Sequence, residues 1–206
     1  MGNPVFAALY DRISAANERA GFADRRAELL AGARGATLEV GAGTGLNLPN
    51  YPAAVTDLVL AEPDRHMARR LRARLADAGR PAEVVEAPAE RLPFEDGRFD
   101  TAVVTLVLCT VPDAARALEE IARVLKPGGR LLFLEHVRAR QPRLAVWQDR
   151  LERPWGWVAG GCHPNRDTVA ALEASPLSVE SADPGELPKA PPIVRPLVVG
   201  VAVRDA

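Results

Sequence analysis

A turn with three glycines at alternate positions is the part of this sequence whose residues point most directly to chemistry. Residues 38–47 read Leu-Glu-Val-Gly-Ala-Gly-Thr-Gly-Leu-Asn, so an apolar strand runs straight into the turn. Glycine allows positive φ and lets a ligand approach the backbone. The free N–H groups that open a following helix favour an anionic ligand group. Glu39, two residues before the first glycine, suits a ligand that also carries an ammonium group.

The spacing of these glycines separates two classes of ligand. A dinucleotide-binding turn has the spacing G-x-G-x-x-G, which leaves room for a pyrophosphate, whereas this turn has G-x-G-x-G. A dinucleotide also offers no ammonium group to Glu39, so a nicotinamide-dependent oxidoreductase is the disfavoured alternative. About 20 residues further on, a second apolar strand ends in Glu62, and an acid at that point can accept hydrogen bonds from both hydroxyls of a ribose.

The elements that must position these residues alternate between the strand and the helix period. Strands are predicted over 37–40, 57–61, 83–87, 100–108, 130–137 and 196–203, and helices at the start of the chain and over 24–31, 65–78, 114–125 and 169–174. This alternation is typical of a doubly wound parallel α/β sheet. The proline-rich stretch 184–196 is predicted to be an ordered loop or lid. The segment that holds all three tryptophans is predicted to be an irregular insertion.

Length and composition indicate one ordinary globular domain. The chain has 206 residues, of which 48% are hydrophobic and 26% charged, and its formal net charge is −1. This charge gives no long-range attraction to phosphate backbones, so a nucleic-acid partner is not expected. Cys109 and Cys162 form no CxxC pair, so neither a metal site nor a disulfide framework is expected, and a cytoplasmic location fits best. The start lacks a signal peptide, and no apolar run approaches the roughly 20 residues of a membrane span.

Further motifs accompany the glycine turn, and together they resemble a known family. They are Leu92-Pro93-Phe94, Phe99-Asp100, Thr-Leu-Val-Leu-Cys at 105–109, Val-Leu-Lys-Pro-Gly-Gly at 124–129 and Glu-His-Val at 135–137, followed by Trp147, Pro154-Trp155, Gly161-Cys162, Arg166 and Val194-Arg195-Pro196. The first five are similar to those of class I S-adenosylmethionine-dependent methyltransferases, in the broad group that includes the quinone-biosynthesis enzymes. The remaining motifs resemble the methyltransferase-like thiol S-methyltransferase family, whose animal members are tied to membranes. The likeness covers nearly the whole chain from residue 38 onward.

The resemblance implies a fold, a division of the chain and a cofactor. The fold is a Rossmann-like, doubly wound sheet of seven mostly parallel strands, with helices on both faces and a short N-terminal helical cap. A single domain spans residues 1–206, with the cap in 1–35, the cofactor-binding core in 36–137, and an acceptor-side segment with the closing strands in 138–206. The cofactor is S-adenosyl-L-methionine. We expect a monomer or a weak homodimer.

The resemblance also implies which residues bind the cofactor. They are Glu39, Gly41, Ala42, Gly43, Gly45 and Asn47 for the methionine part, Glu62 for the ribose, Pro63 and Met67 near the adenine, Ala89 and Glu90 at the adenine edge, and Thr105 and Leu106 at the sulfonium. Pro88 departs from the family, since many relatives have there an aspartate that bonds the adenine amino group. We therefore expect a backbone group, such as that of Ala89 or Glu90, to bind the adenine.

The methyl acceptor is less strongly indicated. Cys109 and Thr110 stand where quinone-type enzymes often have two histidines, which favours an apolar small-molecule thiol over a ring carbon. A thiol, with a reference pKa of about 8.5, needs only modest help to lose its proton. His136 and His163 are the candidate catalytic residues, although a histidine at the end of a strand can also serve packing alone. The tryptophans form either an apolar wall for the acceptor or the packing of the insertion.

Other functions remain open on the sequence. The alternatives are N- or O-methyl transfer to a small or lipid-head-group acceptor, and a non-catalytic domain that only binds the cofactor. Titration with the methyl donor and with a nicotinamide cofactor in parallel would separate the methyltransferase class from the oxidoreductase class.

Overall fold

The computed structural model describes residues 4–205, which form seven strands and six α-helices. The helices are α1 (Pro4–Asn17), α2 (Ala23–Leu30), α3 (Arg65–Ala78), α4 (Ala114–Val124), α5 (Pro142–Val158) and α6 (Thr168–Glu173). The strands are β1 (Gly35–Val40), β2 (Val55–Ala61), β3 (Glu83–Val85), β4 (Phe99–Thr105), β5 (Leu125–His136), β6 (Leu177–Glu186) and β7 (Pro196–Arg204). A π-helical turn over Glu18–Phe22 joins α1 to α2.

The strands form one sheet in the order β3-β2-β1-β4-β5-β7-β6. Strands β1 to β5 run parallel, and β7 lies antiparallel between β5 and β6. The expected Rossmann-like sheet of seven mostly parallel strands with an N-terminal helical element is thus confirmed. The strand order reverses between β1 and β4, and open α/β sheets bind ligands at the carboxyl ends of the strands beside such a reversal.

The two faces of the sheet pack into separate apolar clusters. Alternate residues of β4 divide between them: Ala102 and Val104 belong to one cluster and Val103 to the other, and all three are fully buried. The same alternation holds in β5, where Leu132 and Phe133 face opposite clusters. A strand buried on both faces reads as a continuous apolar run, which is why the sequence predicts β4 and β5 clearly.

Several predicted boundaries differ from the structure at the carboxyl edge of the sheet. Strand β4 ends at Thr105 and not at residue 108, because Leu106 turns the chain with a φ of 59°. Strand β3 stops at Val85, two residues earlier than predicted. Strand β5 begins at Leu125 and not at residue 130. The irregular register after Leu125 accommodates the Lys-Pro-Gly-Gly sequence, which predicted only the end of the preceding helix.

The last third of the chain departs furthest from the prediction. The tryptophan segment is a helix of 17 residues, α5, and not an irregular insertion. Pro154 lies inside this helix and weakened the helical pattern of the sequence, because proline removes a backbone hydrogen bond. The predicted loop over 184–196 overlaps β6, which pairs with β7 along its whole length as far as Glu186. Within residues 4–205, no helix combines the length and the apolar character needed to cross a membrane.

The N-terminal helices cover the carboxyl edge of the sheet at β1. Asp11 of α1 accepts a hydrogen bond from the Thr44 hydroxyl at 2.6 Å, and its other carboxylate oxygen lies 2.7 Å from a guanidinium nitrogen of Arg74. Thr44 belongs to the glycine turn and Arg74 to α3. This three-residue contact, which we call the Asp11 latch, ties the cap to the turn.

Candidate active site

The three glycines of the turn have three different surroundings. A Cβ atom added to Gly41 would lie 2.5 Å from a methyl carbon of Val107, and one added to Gly45 would lie 2.7 Å from a methyl carbon of Leu71. These two glycines therefore allow close packing beneath the turn. Gly43 has a φ of 58°, and a Cβ atom there would meet no protein atom within 4 Å. The open space above Gly43 is a cradle in which a ligand can contact the backbone.

Glu39 lies at the end of β1 in a buried hydrogen-bond network. The Asn47 amide donates to one carboxylate oxygen at 2.9 Å, and the Tyr51 hydroxyl donates to the other at 2.7 Å. Asn47 also donates to the Thr105 hydroxyl at 3.0 Å, so the network joins the ends of β1 and β4. Glu39 is only 2% exposed, and burial raises its pKa to about 7. A ligand cation beside Glu39 would favour the charged carboxylate.

Arg26 of α2 reaches the same network from the cap. One guanidinium nitrogen donates to the Asn47 side-chain oxygen at 3.0 Å, and another donates to Glu18 at 3.1 Å. Arg26 is 4% exposed and lines the same cavity as Glu39. Asn47 thus separates a buried cation from a buried anion. This arrangement is complementary to an amino-acid zwitterion, with its carboxylate towards Arg26 and its ammonium group towards Glu39.

Glu62 follows β2 and faces the turn. Its two carboxylate oxygens accept hydrogen bonds from the Gly43 and Asp64 backbone amides, each at 2.8 Å. Burial raises the pKa of Glu62, while these two amide bonds lower it. The bonds hold the carboxylate in one orientation and leave each oxygen able to accept a further hydrogen bond, which fits the expected role at a ribose.

The residues expected near the adenine lie beyond Glu62 at the same edge of the sheet. Met67 is buried on the first turn of α3, Ala89 is buried, and Pro63 is exposed. Glu90 accepts a hydrogen bond from the Asp113 backbone amide at 3.2 Å. Because the Glu90 carboxylate already binds the start of α4, adenine recognition by a backbone group of this segment stays our prediction.

The cavity at the glycine turn is small in the described conformation. It measures about 20 Å³ and is lined by Tyr10, Arg26, Glu39, Gly41, Ala42, Gly43, Thr44, Leu46, Asn47 and Thr105. Ligand sites for small molecules usually measure roughly 300 Å³ or more. In the described conformation this cavity is too small for a nucleoside. The donor set fits S-adenosylmethionine, because it combines the Gly43 cradle, charges that match a zwitterion and a carboxylate for a ribose.

Glu135 shapes the loop that follows β4. One carboxylate oxygen accepts the Val107 backbone amide at 2.8 Å and the other accepts the Cys109 amide at 3.3 Å. The Leu106 amide donates to the Leu134 carbonyl at 2.8 Å. Glu135 is fully buried and burial raises its pKa to about 7. These bonds fix the loop where the resemblance places the sulfonium, beside Thr105 and Leu106.

The two candidate catalytic histidines lie in different surroundings. His136 at the end of β5 is 7% exposed, and burial lowers its pKa to about 4. Its Nδ1 atom is buried without a hydrogen-bond partner in the described part of the chain. A ring that stays neutral down to about pH 4 is a weak base near neutral pH.

His163 is half-exposed and its Nδ1 lies 2.7 Å from a carboxylate oxygen of Glu152 on α5. The His163 backbone amide donates to the Cys109 carbonyl at 2.7 Å, so His163 adjoins the loop after β4. The Cys109 and Cys162 side chains are in contact, and this contact together with burial raises the pKa of the Cys109 thiol. The geometry favours His163 over His136 as a proton acceptor.

The tryptophans do not form one wall. Trp155 packs against the buried cluster that contains Cys109 and Cys162, whereas Trp147 and Trp157 are 52% and 86% exposed. At most Trp155 can therefore line an acceptor site.

Sequence reasoning missed the residues that the cap and the loops supply. Tyr10, Asp11, Arg26, Tyr51 and Glu152 contact the site only through the tertiary fold. No local spacing in the sequence marks them. The one signal available was that the residues three and four positions from Arg26 along the helix are apolar, which places this arginine on the buried face, where it requires a partner.

Comparisons with known proteins agree with this geometry. The family profile described as a methyltransferase domain matches residues 38–133. The chain is 34% identical over 172 residues to thiol S-methyltransferase TMT1A of Homo sapiens, covering 81% of this chain and 70% of that protein. Phosphatidylethanolamine N-methyltransferase of Cereibacter sphaeroides is 36% identical over 130 residues, covering 60% of this chain and 63% of that protein.

Solved structures share the fold. An S-adenosylmethionine-dependent methyltransferase from Mesorhizobium loti matches with a TM-score of 0.65 and 19% identity, covering 88% of this chain and 96% of that one. The cofactor is S-adenosylmethionine, and the protein is an enzyme that transfers its methyl group. The chain belongs to the class I S-adenosylmethionine-dependent methyltransferases, in the methyltransferase-like group that includes the thiol S-methyltransferases.

Proposed function

We propose that this enzyme methylates the sulfur of a small apolar thiol. The observation that carries the proposal is the relation to a thiol S-methyltransferase, which extends over 81% of the chain and so includes at least part of the acceptor-side segment. The Cys109 and Thr110 pair after β4 supports it, because this position lacks the two histidines common in the quinone-type enzymes.

The residues at the carboxyl edge have separate tasks in this reaction. Glu39 and Arg26 bind the two charged groups of the methionine part, Gly43 gives it access to the backbone, and Glu62 binds the ribose hydroxyls. When bound, S-adenosylmethionine supplies an activated methyl group on a sulfonium. Thr105 and Leu106 would line that position, and the cap would exclude water from it.

The acceptor side offers surroundings in which an apolar thiol is stable. Cys109 and Cys162 belong to a buried apolar cluster beside the loop after β4, Trp155 packs against this cluster, and Tyr10 lines the cofactor cavity. Alignment of the sulfur with the methyl group is the main contribution that the protein makes to an in-line displacement.

An amine in a lipid head group is the second candidate acceptor. The relation to a phosphatidylethanolamine N-methyltransferase favours it, although that match covers less of the chain. The protein would then need a deprotonated amine at the position that we assign to the thiol.

A panel of acceptors with an isotopically labelled methyl donor tests the proposal. The panel contains alkyl and aryl thiols, primary amines and alcohols of matched size, and the labelled product is identified by mass spectrometry. We expect label on sulfur and preference for the more apolar thiols. Label on nitrogen or oxygen alone would replace the proposal with one of its alternatives. Calorimetric binding of the donor without turnover of any acceptor would indicate a cofactor-binding domain without catalysis.

A further inference from the structure

The Glu152 and His163 pair is the one ion pair of a histidine with a carboxylate in residues 4–205. The Glu152 carboxylate oxygen lies 2.7 Å from His163 Nδ1, and both side chains are about one-third exposed. His163 Nε2 forms no hydrogen bond to any described residue. Nδ1 is thus hydrogen-bonded to a carboxylate, whereas Nε2 can bind a ligand.

The pair lies on the acceptor side of the site. Hydrogen bonds join the segment that contains His163 to the loop after β4. The His163 backbone amide donates to the Cys109 carbonyl. The Arg166 guanidinium donates to the carbonyls of Leu108 and Val111. A further contact joins this segment to the cap, since a Cβ atom on Gly160 would lie 2.8 Å from the Phe6 ring. His163 therefore lies between the loop after β4 and α5, in a segment that also contacts the cap.

We propose that His163 is the base that takes the proton of the thiol acceptor, and that Glu152 is the positioning residue that makes this possible. This inference rests on the proposed thiol methylation. Glu152 accepts a hydrogen bond from Nδ1–H and so leaves the lone pair on Nε2. The S–H bond of the acceptor breaks, its proton passes to Nε2, and the acceptor sulfur keeps the electron pair. That pair would form the new bond to the methyl carbon as the bond between this carbon and the donor's sulfonium breaks, and the donor would leave as a neutral thioether. The carboxylate at 2.7 Å stabilises the positive charge that the ring then carries.

The proposal has a consequence for substrate range. A thiol that is already ionised at neutral pH needs no base, whereas a weakly acidic alkyl thiol depends on one. The pair therefore determines whether the enzyme can use weakly acidic thiols, and it contributes little with strongly acidic aryl thiols.

The first test is independent of turnover. The chain has only three histidines, so nitrogen-15 NMR of the labelled rings can assign His163 by comparison with the His163→Asn variant. At a pH at which the ring is neutral, we expect a single tautomer with the proton on Nδ1, and a mixture of tautomers in Glu152→Gln. A proton on Nε2 in the wild type, or an unchanged tautomer in Glu152→Gln, would overturn the assignment.

The second test uses thiols of graded acidity. We expect His163→Asn and Glu152→Gln to lower kcat/KM for alkyl thiols by about 100-fold and for acidic aryl thiols by less than about threefold. Equal losses with both kinds of thiol would mean a structural role and overturn the inference alone. No turnover of any thiol by the wild type would overturn the proposed function as well. The controls are His66→Asn and Glu173→Gln on the distant helices α3 and α6, together with calorimetric donor binding, which every variant should retain.

Discussion

The cofactor half and the acceptor half of this enzyme are held together by different kinds of contact. At the carboxyl ends of β1 and β2, the groups that we assign to the cofactor are fixed by backbone geometry and by hydrogen bonds of 2.7–2.9 Å to buried carboxylates. On the acceptor side, the pair that we propose to be reactive, Glu152 and His163, is partly exposed and depends on the docking of α5 and of the loop after it. The residues of the first half are held rigidly and can be recognised in the sequence. Those of the second half are less constrained, so the specificity for the methyl acceptor can change there.

The largest effect on the cofactor half is expected from Gly43→Val. We expect loss of measurable donor binding, because the side chain would fill the cradle that no protein atom occupies. A positive φ disfavours valine by about 1–2 kcal/mol, so the fold itself must be controlled. Gly79→Val is the matched variant, since Gly79 has a φ of 63° and equally open surroundings at the end of α3. Calorimetry should show normal donor binding for this control. Retained donor binding in Gly43→Val would contradict the proposal that the ligand occupies the space above Gly43.

Removal of the buried cation tests the zwitterion arrangement. Arg26→Met should weaken S-adenosylmethionine binding roughly tenfold to a hundredfold, as expected for a lost charge-assisted bond. Binding of methylthioadenosine, which lacks the amino-acid part, should change less than about twofold. The neighbouring Arg25→Met is the control, because Arg25 does not line the cavity. Equal weakening of both ligands would mean that Arg26 acts only through the fold.

The buried acid predicts that the affinity for the donor depends on pH. The pKa of Glu39 is raised to about 7, so below pH 7 the carboxyl group holds a proton that the donor's ammonium group must displace. Donor affinity should therefore be constant above about pH 7 and fall by up to about tenfold per pH unit below it. Glu39→Gln should bind weakly at every pH with a flatter profile. A wild-type affinity that is unchanged from about pH 7.5 to pH 5.5 would contradict the charge assignment.

The smallest effect is expected on the outer surface of α5. Trp157 is 86% exposed, so Trp157→Ser should change the free energy of unfolding by less than about 0.5 kcal/mol. Trp155→Ser should cost more than about 1 kcal/mol, because Trp155 packs against buried residues. Urea denaturation of both variants measures the difference. Similar values would mean that α5 does not use Trp155 to dock.

The same contrast explains what the sequence could predict. Glu39, Gly43 and Glu62 are recognisable because strand ends and glycine spacing are local patterns, and local patterns can be identified from the sequence without the tertiary structure. Helix α5 was missed because Pro154 and the three tryptophans obscure its period. Arg26 and Glu152 were not foreseeable, since only the packing of distant elements brings them to the site. For the histidines, sequence reasoning favours His136 over His163, whereas burial and the contact with Glu152 favour His163.

The Asp11 latch has a consequence for the rate at which the enzyme exchanges its cofactor. Its two contacts, at 2.6 Å to Thr44 and 2.7 Å to Arg74, must break before the cap can move away from the turn. Association of the donor and release of the spent product then share one opening step, on the microsecond-to-millisecond scale typical of such motions. Because the latch includes a half-exposed ion pair, salt should speed this exchange. The residence time of the product, more than the methyl transfer, would then set the turnover.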